Sequence, residues 1–142
     1  MTIKIKKLHP EATIPQYANQ GDAGMDFYAS ETIIIDPNHR TLVSTGIMMA
    51  IPQGFVGLIW DKSGIATKHG IKTMAGVIDC GYRGEIKILL HNLSTESYTI
   101  EKGTKIAQML IQPVEQREII EVDDLDTNTE RGEGGFGSSG MK

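Results

Sequence analysis

Short runs of β-branched and aromatic residues, separated by turn-forming residues, recur along most of this 142-residue chain. Proline, glycine and asparagine mark turns such as residues 36–38 and 52–54, and a short helix is predicted only at residues 63–69. The predicted strands are residues 3–8, 32–35, 41–50, 55–60, 85–92, 98–100 and 105–114. Strands of this length and spacing favour an all-β fold, a jelly-roll-like β-barrel or sandwich with one short helix.

The last predicted strand, residues 105–114, is apolar on both faces, which is more than one thin sandwich buries alone. A closed homo-oligomer would cover this surface and shield the sheet edges. We therefore expect an oligomer, and a monomer with a double-layer core is the alternative.

The composition argues against several classes of protein. With 14 Lys and Arg against 18 Asp and Glu, the chain lacks the basic excess of proteins that bind nucleic acid through phosphate contacts. No apolar run reaches the roughly 18 residues of a membrane span. The single cysteine, Cys80, fits a reducing compartment. We therefore expect a cytoplasmic protein with no direct nucleic-acid partner and no membrane partner.

The C-terminal residues have the composition of a flexible cover for a ligand. Residues 123–130 are acidic, and residues 131–140 contain five glycines, two serines, an arginine and a phenylalanine. Hydroxyls and free amides suit phosphate oxygens, arginine binds anions, and a phenylalanine ring stacks on planar bases. We expect a β domain at residues 1–122 and an arm at residues 123–142 that closes the active site. A disordered tail is the alternative.

Three further segments carry polar residues within reach of a ligand. Asp26 lies beside small residues at the start of a strand. Ser63 opens the predicted helix, where free N–H groups attract phosphate, although a helix cap explains it equally well. Residues 75–85 form a predicted hairpin with Asp79 at its bend, where the carboxylate can act as a general base, and with Tyr82 beside it. Taken alone, this hairpin is explained better by a turn-forming Asp79 and a core Tyr82.

In this order and at these spacings, the segments resemble the five motifs of the trimeric dUTPases, the deoxyuridine triphosphate nucleotidohydrolases. The matching stretches are residues 23–27, 62–66, 76–79 with 82–84, 103–108 and 131–140. The resemblance extends over nearly the whole chain, from residue 3 to residue 140. Its third and fifth motifs are the most specific.

The resemblance implies a dUTP diphosphatase that hydrolyses dUTP to dUMP and pyrophosphate, limits uracil in DNA and supplies dUMP for dTMP synthesis. Asp79 would deprotonate the water that attacks the α-phosphorus. Mg²⁺ would be held mainly by the triphosphate, and Asp26 would act near the metal through water. The enzyme would be a homotrimer whose sites draw on more than one subunit, with the arm crossing to a neighbour.

The resemblance also implies the substrate contacts. The helix start and Gln108 would bind phosphates, the backbone of residues 76–79 and the strand near Lys87 would read uracil, and Tyr82 would pack on the deoxyribose. The arm would close over the β- and γ-phosphates, with Phe136 stacked on uracil. The implied substrate-binding residues are Lys62, Ser63, Gly64, Thr73, Gly76, Val77, Ile78, Tyr82, Lys87, Gln108, Arg131, Phe136, Gly137, Ser138 and Ser139.

Several residues depart from the family pattern. The departures are Lys62 for an arginine, Thr104 and Lys105 for an acidic residue and an arginine, Gly81 for an acidic residue, and Ser139 for a threonine. The lysines bear on phosphate affinity, because an ammonium group is a point charge and not the two-pronged donor that arginine offers.

Two other functions fit part of the pattern. The related dCTP deaminases share the fold and the trimer, but their catalytic glutamate would fall at Leu89, which cannot transfer protons. The second alternative is a non-enzymatic protein that uses the nucleotide as a signal. Some phage members carry regulatory inserts, and no extra segment interrupts the motifs in this chain.

Overall fold

The computed structural model describes residues 2–135 of the chain. Within that range it contains eleven β-strands and one α-helix, and the strand pairings are antiparallel. In chain order the elements are β1 (Lys4–Lys7), β2 (Met25–Tyr28), β3 (Ile33–Ile35), β4 (Arg40–Val43), β5 (Ile47–Ala50), β6 (Phe55–Asp61), α1 (Ser63–His69), β7 (Ile71–Met74), β8 (Val77–Ile78), β9 (Ile88–Asn92), β10 (Tyr98–Ile100) and β11 (Lys105–Pro113). The predicted all-β fold with one short helix is confirmed.

The strands form four small sheets around one apolar core. β1 pairs with β5, β3 pairs with β10, a three-stranded sheet has the order β4-β9-β7, and the largest sheet has the order β2-β11-β6-β8. All four sheets contribute to the core, for example through the buried side chains of Ile47, Ile35, Phe27 and Leu90. The described strands do not close into a barrel.

Strand β11 owes its two apolar faces to its place inside the largest sheet. It pairs with β2 along one edge and with β6 along the other, and Ile106, Ala107 and Met109 are fully buried. A strand that is covered on both faces needs apolar residues at successive positions. Part of the surface from which we predicted an oligomer is therefore buried within the chain itself.

The single strand predicted at residues 41–50 was wrong, because the chain forms two strands there, β4 and β5. Gly46 separates them with a φ of 69°, which lies in the left-handed region. A Cβ at this position would approach side-chain atoms of His9 and Ala12 to 2.6 and 2.7 Å. The break lets β4 join β9 while β5 joins β1.

The prediction that residues 75–85 form a hairpin was also wrong, because its two arms do not pair with each other. β8 pairs with β6, whereas the returning chain becomes β9, which pairs with β4 and β7. Ala75 and Gly76 have φ values of 59° and 115° and turn the chain onto the edge of β6. A Cβ on Gly76 would lie 2.9 Å from the carbonyl oxygen of Ile59. The turn at Asp79 thus connects two different sheets.

Helix α1 spans the predicted residues and is followed directly by β7, which was not predicted. The helix ends at His69, and its C-cap Gly70 has a φ of 66° and donates its N–H to the carbonyl oxygen of Ala66. Its N-cap is Lys62, without a side-chain capping hydrogen bond, so the reading of Ser63 as the helix cap was wrong. Within residues 2–135, no helix has the length and apolar character needed to cross a membrane.

Residues 114–135 contain no helix or strand. Their apolar side chains are largely exposed, with Ile119 at 95% and Ile120 at 70% exposure. This segment includes the acidic connector of the predicted arm. The division of the chain at residue 122 stays a prediction.

Candidate active site

The order of the largest sheet brings three predicted motif segments side by side. β11 lies between β2 and β6, and its Gln108 is in register with Asp26 on one neighbour and with Trp60 on the other. The register with β2 shifts between Lys105 and Ala107, which marks a β-bulge of the kind that re-aims side chains near functional sites. Residues distant in sequence therefore meet at this sheet.

Gln108 is held between the first two motif segments. Its Nε2 donates a hydrogen bond to the carbonyl oxygen of Asp61 at 2.9 Å. Gly24 permits its close approach on the other side, since a Cβ there would lie 2.6 Å from Gln108 Oε1. Gly24, Trp60, Lys62 and Gln108 line an open cleft of about 490 Å³. A cleft of this size accommodates the phosphate chain of a nucleotide.

Asp26 is a buried charge beside this cleft, with 1% of its surface exposed. Lys62 Nζ lies 2.5 Å from its Oδ1, and Lys105 Nζ lies 2.8 Å from its Oδ2. Burial alone raises the pKa of Asp26, but the contacts with Lys105 and Lys62 outweigh burial and lower it. The two lysines that depart from the family pattern thus share one carboxylate.

The described residues lack a cluster of side chains that would hold a metal ion on its own. They contain no group of three or more His, Cys, Asp or Glu side chains that could hold a metal ion. Both oxygens of Asp26 face ammonium groups, and a carboxylate neutralised in this way does not attract a further cation. As arranged here, Asp26 faces two lysines and not an open position beside the cleft. The contact of Asp26 with the metal through water stays a prediction.

A second carboxylate, that of Asp61, lies just before the second motif. Its Oδ1 accepts hydrogen bonds from the backbone N–H and the hydroxyl of Thr73, at 2.7 and 2.5 Å, and its Oδ2 accepts one from Lys72 Nζ at 2.6 Å. Burial raises the pKa of Asp61, but the bonds from Lys72 and Thr73 outweigh burial and lower it. Thr73, predicted to bind substrate, is 8% exposed. The sequence does not reveal this network, because it depends on how β6 and β7 pack together.

Ser63 and Gly64 are exposed in the first turn of α1, directly after the cleft residue Lys62. Lys62 has extended backbone angles, with φ of −86° and ψ of 112°. A Cβ on Gly64 would meet nothing within 4 Å. Their predicted contacts with phosphate stay predictions, and the space beside Gly64 leaves room for a ligand to approach the backbone.

The turn after β8 presents Asp79 at the surface. Asp79 is exposed, and its carbonyl oxygen accepts a hydrogen bond from the N–H of Tyr82 at 3.1 Å. Arg83 Nη1 donates to the carbonyl oxygens of Cys80 and Tyr82, both at 2.7 Å, and the Tyr82 hydroxyl donates to the carbonyl oxygen of Glu85 at 2.9 Å. Tyr82 is 44% exposed, so the alternative of a core tyrosine was wrong. These bonds hold the turn in one shape.

The other third-motif residues line two openings other than the cleft of Lys62 and Gln108. Ile78, Tyr82 and Lys87 border one of about 330 Å³, and Gly76 and Val77 border another of about 220 Å³. Trp60 borders both the opening of Gly76 and Val77 and the cleft of Lys62 and Gln108. The opening of Ile78, Tyr82 and Lys87 shares no lining residue with that cleft.

Of the predicted arm contacts, Arg131 lies within the described range. Its Nε donates a hydrogen bond to the carbonyl oxygen of Gly134 at 2.9 Å, which is a local contact. The predicted arm residues outside the described range are Phe136, Gly137, Ser138 and Ser139. Their contacts stay predictions.

Known proteins resemble this chain over almost its whole length. The dUTPase family model matches residues 10–140. The deoxyuridine 5'-triphosphate nucleotidohydrolase of Clostridium kluyveri is 49% identical over 142 residues, which cover 99% of each chain. The dUTPase of Staphylococcus bacteriophage 80alpha, solved with dUpNHpp, aligns with a TM-score of 0.93 at 32% identity over 99% of both chains. A mutant dUTPase from phage phi11 of S. aureus, solved with a structural Mg(II) ion, aligns with a TM-score of 0.82 at 27% identity over 87% of this chain and 98% of that one.

The position of Leu89 agrees with these similarities and not with a deaminase. Leu89 is in register with Leu42 of β4 and Met74 of β7, which gives it an apolar setting where a deaminase would need a glutamate. The motif order, the all-β fold and the similarity to known dUTPases agree with one another. The chain belongs to the dUTPase family.

Proposed function

We propose that this chain is a dUTP diphosphatase, which hydrolyses dUTP to dUMP and pyrophosphate. The observation that carries the proposal is the meeting of Lys62 and Gln108 at one cleft, with Asp26 behind them, in a chain of the dUTPase family. An ammonium group and an amide beside an open cleft suit a triphosphate. An exposed carboxylate on a fixed turn, such as that of Asp79, suits a general base.

The phosphate chain occupies the cleft. Lys62 and the amide of Gln108 donate to phosphate oxygens, together with Ser63 and the backbone of Gly64. Asp26 holds the Lys62 ammonium at 2.5 Å, and an ammonium held in this way loses less conformational freedom when an anion binds. Lys62 and Lys105 together exceed the charge of Asp26 by one, so this group adds a local positive charge beside the cleft.

Asp79 holds and deprotonates the attacking water. The water oxygen forms a bond to the α-phosphorus while the bond from that phosphorus to the oxygen bridging the β-phosphate breaks. Pyrophosphate leaves with the electron pair, and the proton of the water passes to Asp79. Because little covalent chemistry falls to the protein, positioning and neutralisation of charge supply most of the rate.

Uracil recognition belongs to the backbone of residues 76–79, with the side chains of Val77 and Ile78 and with Lys87 beside the start of β9. Cytosine exchanges a carbonyl oxygen for an amino group, which would leave fixed backbone groups unpaired. The close packing of Gly76 on Ile59 supports a rigid wall without room for the methyl group of thymine. Tyr82 fills the space that a ribose 2′-hydroxyl needs.

Mg²⁺ is the proposed cofactor and is held mainly by the triphosphate, whose charge it neutralises. The structural Mg(II) ion of the phage phi11 relative supports a metal in this family. The described residues around Asp26 do not form a site for the ion, so no step of the proposed reaction depends on a protein-bound metal.

The proposed assembly is a homotrimer in which the uracil turn of one subunit completes the phosphate cleft of another. The separate openings within one chain support this arrangement, as do Leu42 and Val77, which border the third-motif openings and are 52% and 67% exposed. Residues 123–142 form the arm, which reaches a neighbouring subunit from the domain at residues 1–122. We further propose a cytoplasmic enzyme that limits uracil in DNA and supplies dUMP for dTMP synthesis.

Pyrophosphate release from dUTP, dCTP, dTTP and UTP, each with Mg²⁺, tests the proposal. We expect release from dUTP to exceed that from each other nucleotide by at least about a hundredfold. Equal release from all four would contradict the proposed recognition of uracil and deoxyribose. Release of ammonia from dCTP would instead indicate a dCTP deaminase. Tight binding of dUTP without release of pyrophosphate would indicate a non-enzymatic protein that uses the nucleotide as a signal.

A further inference from the structure

Asp61 lies at the joint between a strand and the proposed phosphate-binding residues. β6 ends at Asp61, Lys62 follows it, and α1 begins at Ser63. The start of α1 has no side-chain capping hydrogen bond, which is the usual device for fixing a helix entry. The Lys62 side chain is held by Asp26, so the contacts of Asp61 bear on where the backbone of Lys62 and the helix start lie.

Four hydrogen bonds converge on Asp61. Its carboxylate accepts one from Lys72 and two from Thr73, and its carbonyl oxygen accepts one from Gln108 Nε2. These bonds join β6, β7 and β11 at one residue. Thr73 is 8% exposed and the Asp61 side chain is 26% exposed, so the two bonds are partly shielded from competition by water.

We propose that Asp61, clamped by Thr73, is a positioning residue that holds Lys62 and Gln108 in place for the triphosphate; this inference rests on the proposed dUTP hydrolysis. The carboxylate of Asp61 is bound to β7, while its backbone continues into Lys62 and carries the hydrogen bond from Gln108. Thr73 borders the opening of Gly76 and Val77, but its hydroxyl is bound to Asp61, so we expect it to act on substrate binding through Asp61 and not by direct contact. Without the bonds from Thr73, Asp61 and the residues attached to it can shift. Misplacement of binding groups by about 1 Å is enough to lower catalysis by up to about a hundredfold.

A double-mutant cycle separates this indirect role from a direct contact between Thr73 and the substrate. Thr73→Val removes the hydroxyl bond alone, Thr73→Ser keeps it, and Asp61→Ala removes the side-chain bonds of the carboxylate. KM and kcat for dUTP are measured by pyrophosphate release, and the melting temperature is measured for each variant. Ser97→Ala is the matched control, because Ser97 Oγ donates to Asp36 Oδ1 at 2.8 Å, a hydroxyl–carboxylate bond whose residues do not line the cleft.

We expect Thr73→Val to raise KM about tenfold with a smaller change in kcat. Thr73→Ser and Ser97→Ala should stay within about twofold of wild type. The double variant of Asp61→Ala and Thr73→Val should be no worse than Asp61→Ala alone, because both changes remove the same bond. If Asp61→Ala fails to fold, Asp61→Asn replaces it; Asn retains an acceptor oxygen for Thr73 and should give a KM closer to wild type than Thr73→Val does.

Effects that multiply in the double variant would overturn the inference in favour of direct contact. A wild-type KM in Thr73→Val would overturn it too. Failure of the proposed function looks different, since the wild-type protein would then release no pyrophosphate from dUTP.

Discussion

Asp26 was predicted to be a site residue, but its contacts were not predicted. The motif resemblance identified its carboxylate and, separately, the lysines at positions 62 and 105 that replace family arginines. The contact of both lysines with Asp26 depends on the pairing of β2 with β11 across a bulge, which no local pattern encodes. The two lysine departures therefore belong to one charged unit.

Asp26→Asn should destabilise the protein, since it leaves two ammonium groups together without their carboxylate. We expect a loss of about 2 kcal/mol in the free energy of unfolding, less than for a fully buried pair because both lysines reach solvent. Asp36→Asn is the matched control, because Asp36 is exposed and accepts a hydrogen bond from the Ser97 hydroxyl at 2.8 Å; it should change stability by less than about 0.5 kcal/mol. Urea denaturation at neutral pH measures the free energy of unfolding of both variants. Equal values for the two would argue against the stabilising contact of Asp26 with Lys62 and Lys105.

The same variant also tests the predicted contact of Asp26 with the metal. If Asp26 serves only the lysines, the Mg²⁺ concentration for half-maximal dUTP hydrolysis should stay unchanged in Asp26→Asn. A several-fold higher requirement for Mg²⁺ would support the predicted contact through water.

Asp61 makes the stability of the protein depend on pH in the acidic range. Its pKa in the folded protein lies below its ordinary value of 3.8. Its stabilising contribution is therefore complete above that ordinary value and is lost as the pH falls through the lowered pKa. The difference in free energy of unfolding between wild type and Asp61→Asn should stay constant from about pH 7 to pH 5 and shrink below about pH 4. Urea denaturation across this range checks it, and a difference that grows on acidification would have the wrong sign.

At the scale of elements, local sequence signals predicted the bounds of helices and strands that neighbouring residues determine. They failed where pairing with a distant strand determines the structure. Residues 63–69 and 98–100 agree with α1 and β10, because glycine or turn residues bound both. Residues 75–85 carry the pattern of a hairpin, but the edge of β6 takes β8 as its partner. Strand pairing is a tertiary choice, so the sequence predicts strands better than it predicts their neighbours.

Gly64→Ala should separate stability from function in α1. A Cβ at Gly64 meets nothing within 4 Å, so alanine should raise the free energy of unfolding by about 0.5–1 kcal/mol. The same Cβ would occupy space where a phosphate approaches the backbone, so kcat/KM for dUTP should fall about tenfold. Thr67→Ala, an exposed change in the same helix, should add about 0.5 kcal/mol and leave kcat/KM unchanged. Full activity in Gly64→Ala would contradict the proposed approach of a phosphate to the backbone of Gly64.

At the scale of the whole molecule, one chain carries two groups of predicted nucleotide-binding residues in separate openings. The motif resemblance predicted the members of both groups. Their distribution was not readable from the sequence, because it follows from sheet order, with β11 between β2 and β6 and with β8 on the far edge. The trimer and the crossing arm that would join the groups stay proposals.

Pyrophosphate release by mixed oligomers tests most directly whether the Asp79 turn and the phosphate cleft are two parts of one dUTP site. Asp79→Asn removes the proposed base and should lower the rate by about a thousandfold. Ser63→Ala combined with Gln108→Ala removes two phosphate contacts and should lower kcat/KM by about a hundredfold. Unfolding the two variants together in equal amounts and refolding them gives oligomers in which some sites combine an intact turn with an intact cleft.

The refolded mixture should recover about a quarter of wild-type activity, the share of sites that receive both intact parts when each part comes from a different subunit. Each variant refolded alone is the control and, at dUTP concentrations well below KM, should keep no more than about 1% of wild-type activity. A mixture no more active than the mean of its two parents would contradict a site shared between subunits, and a fully active Asp79→Asn parent would contradict the proposed base.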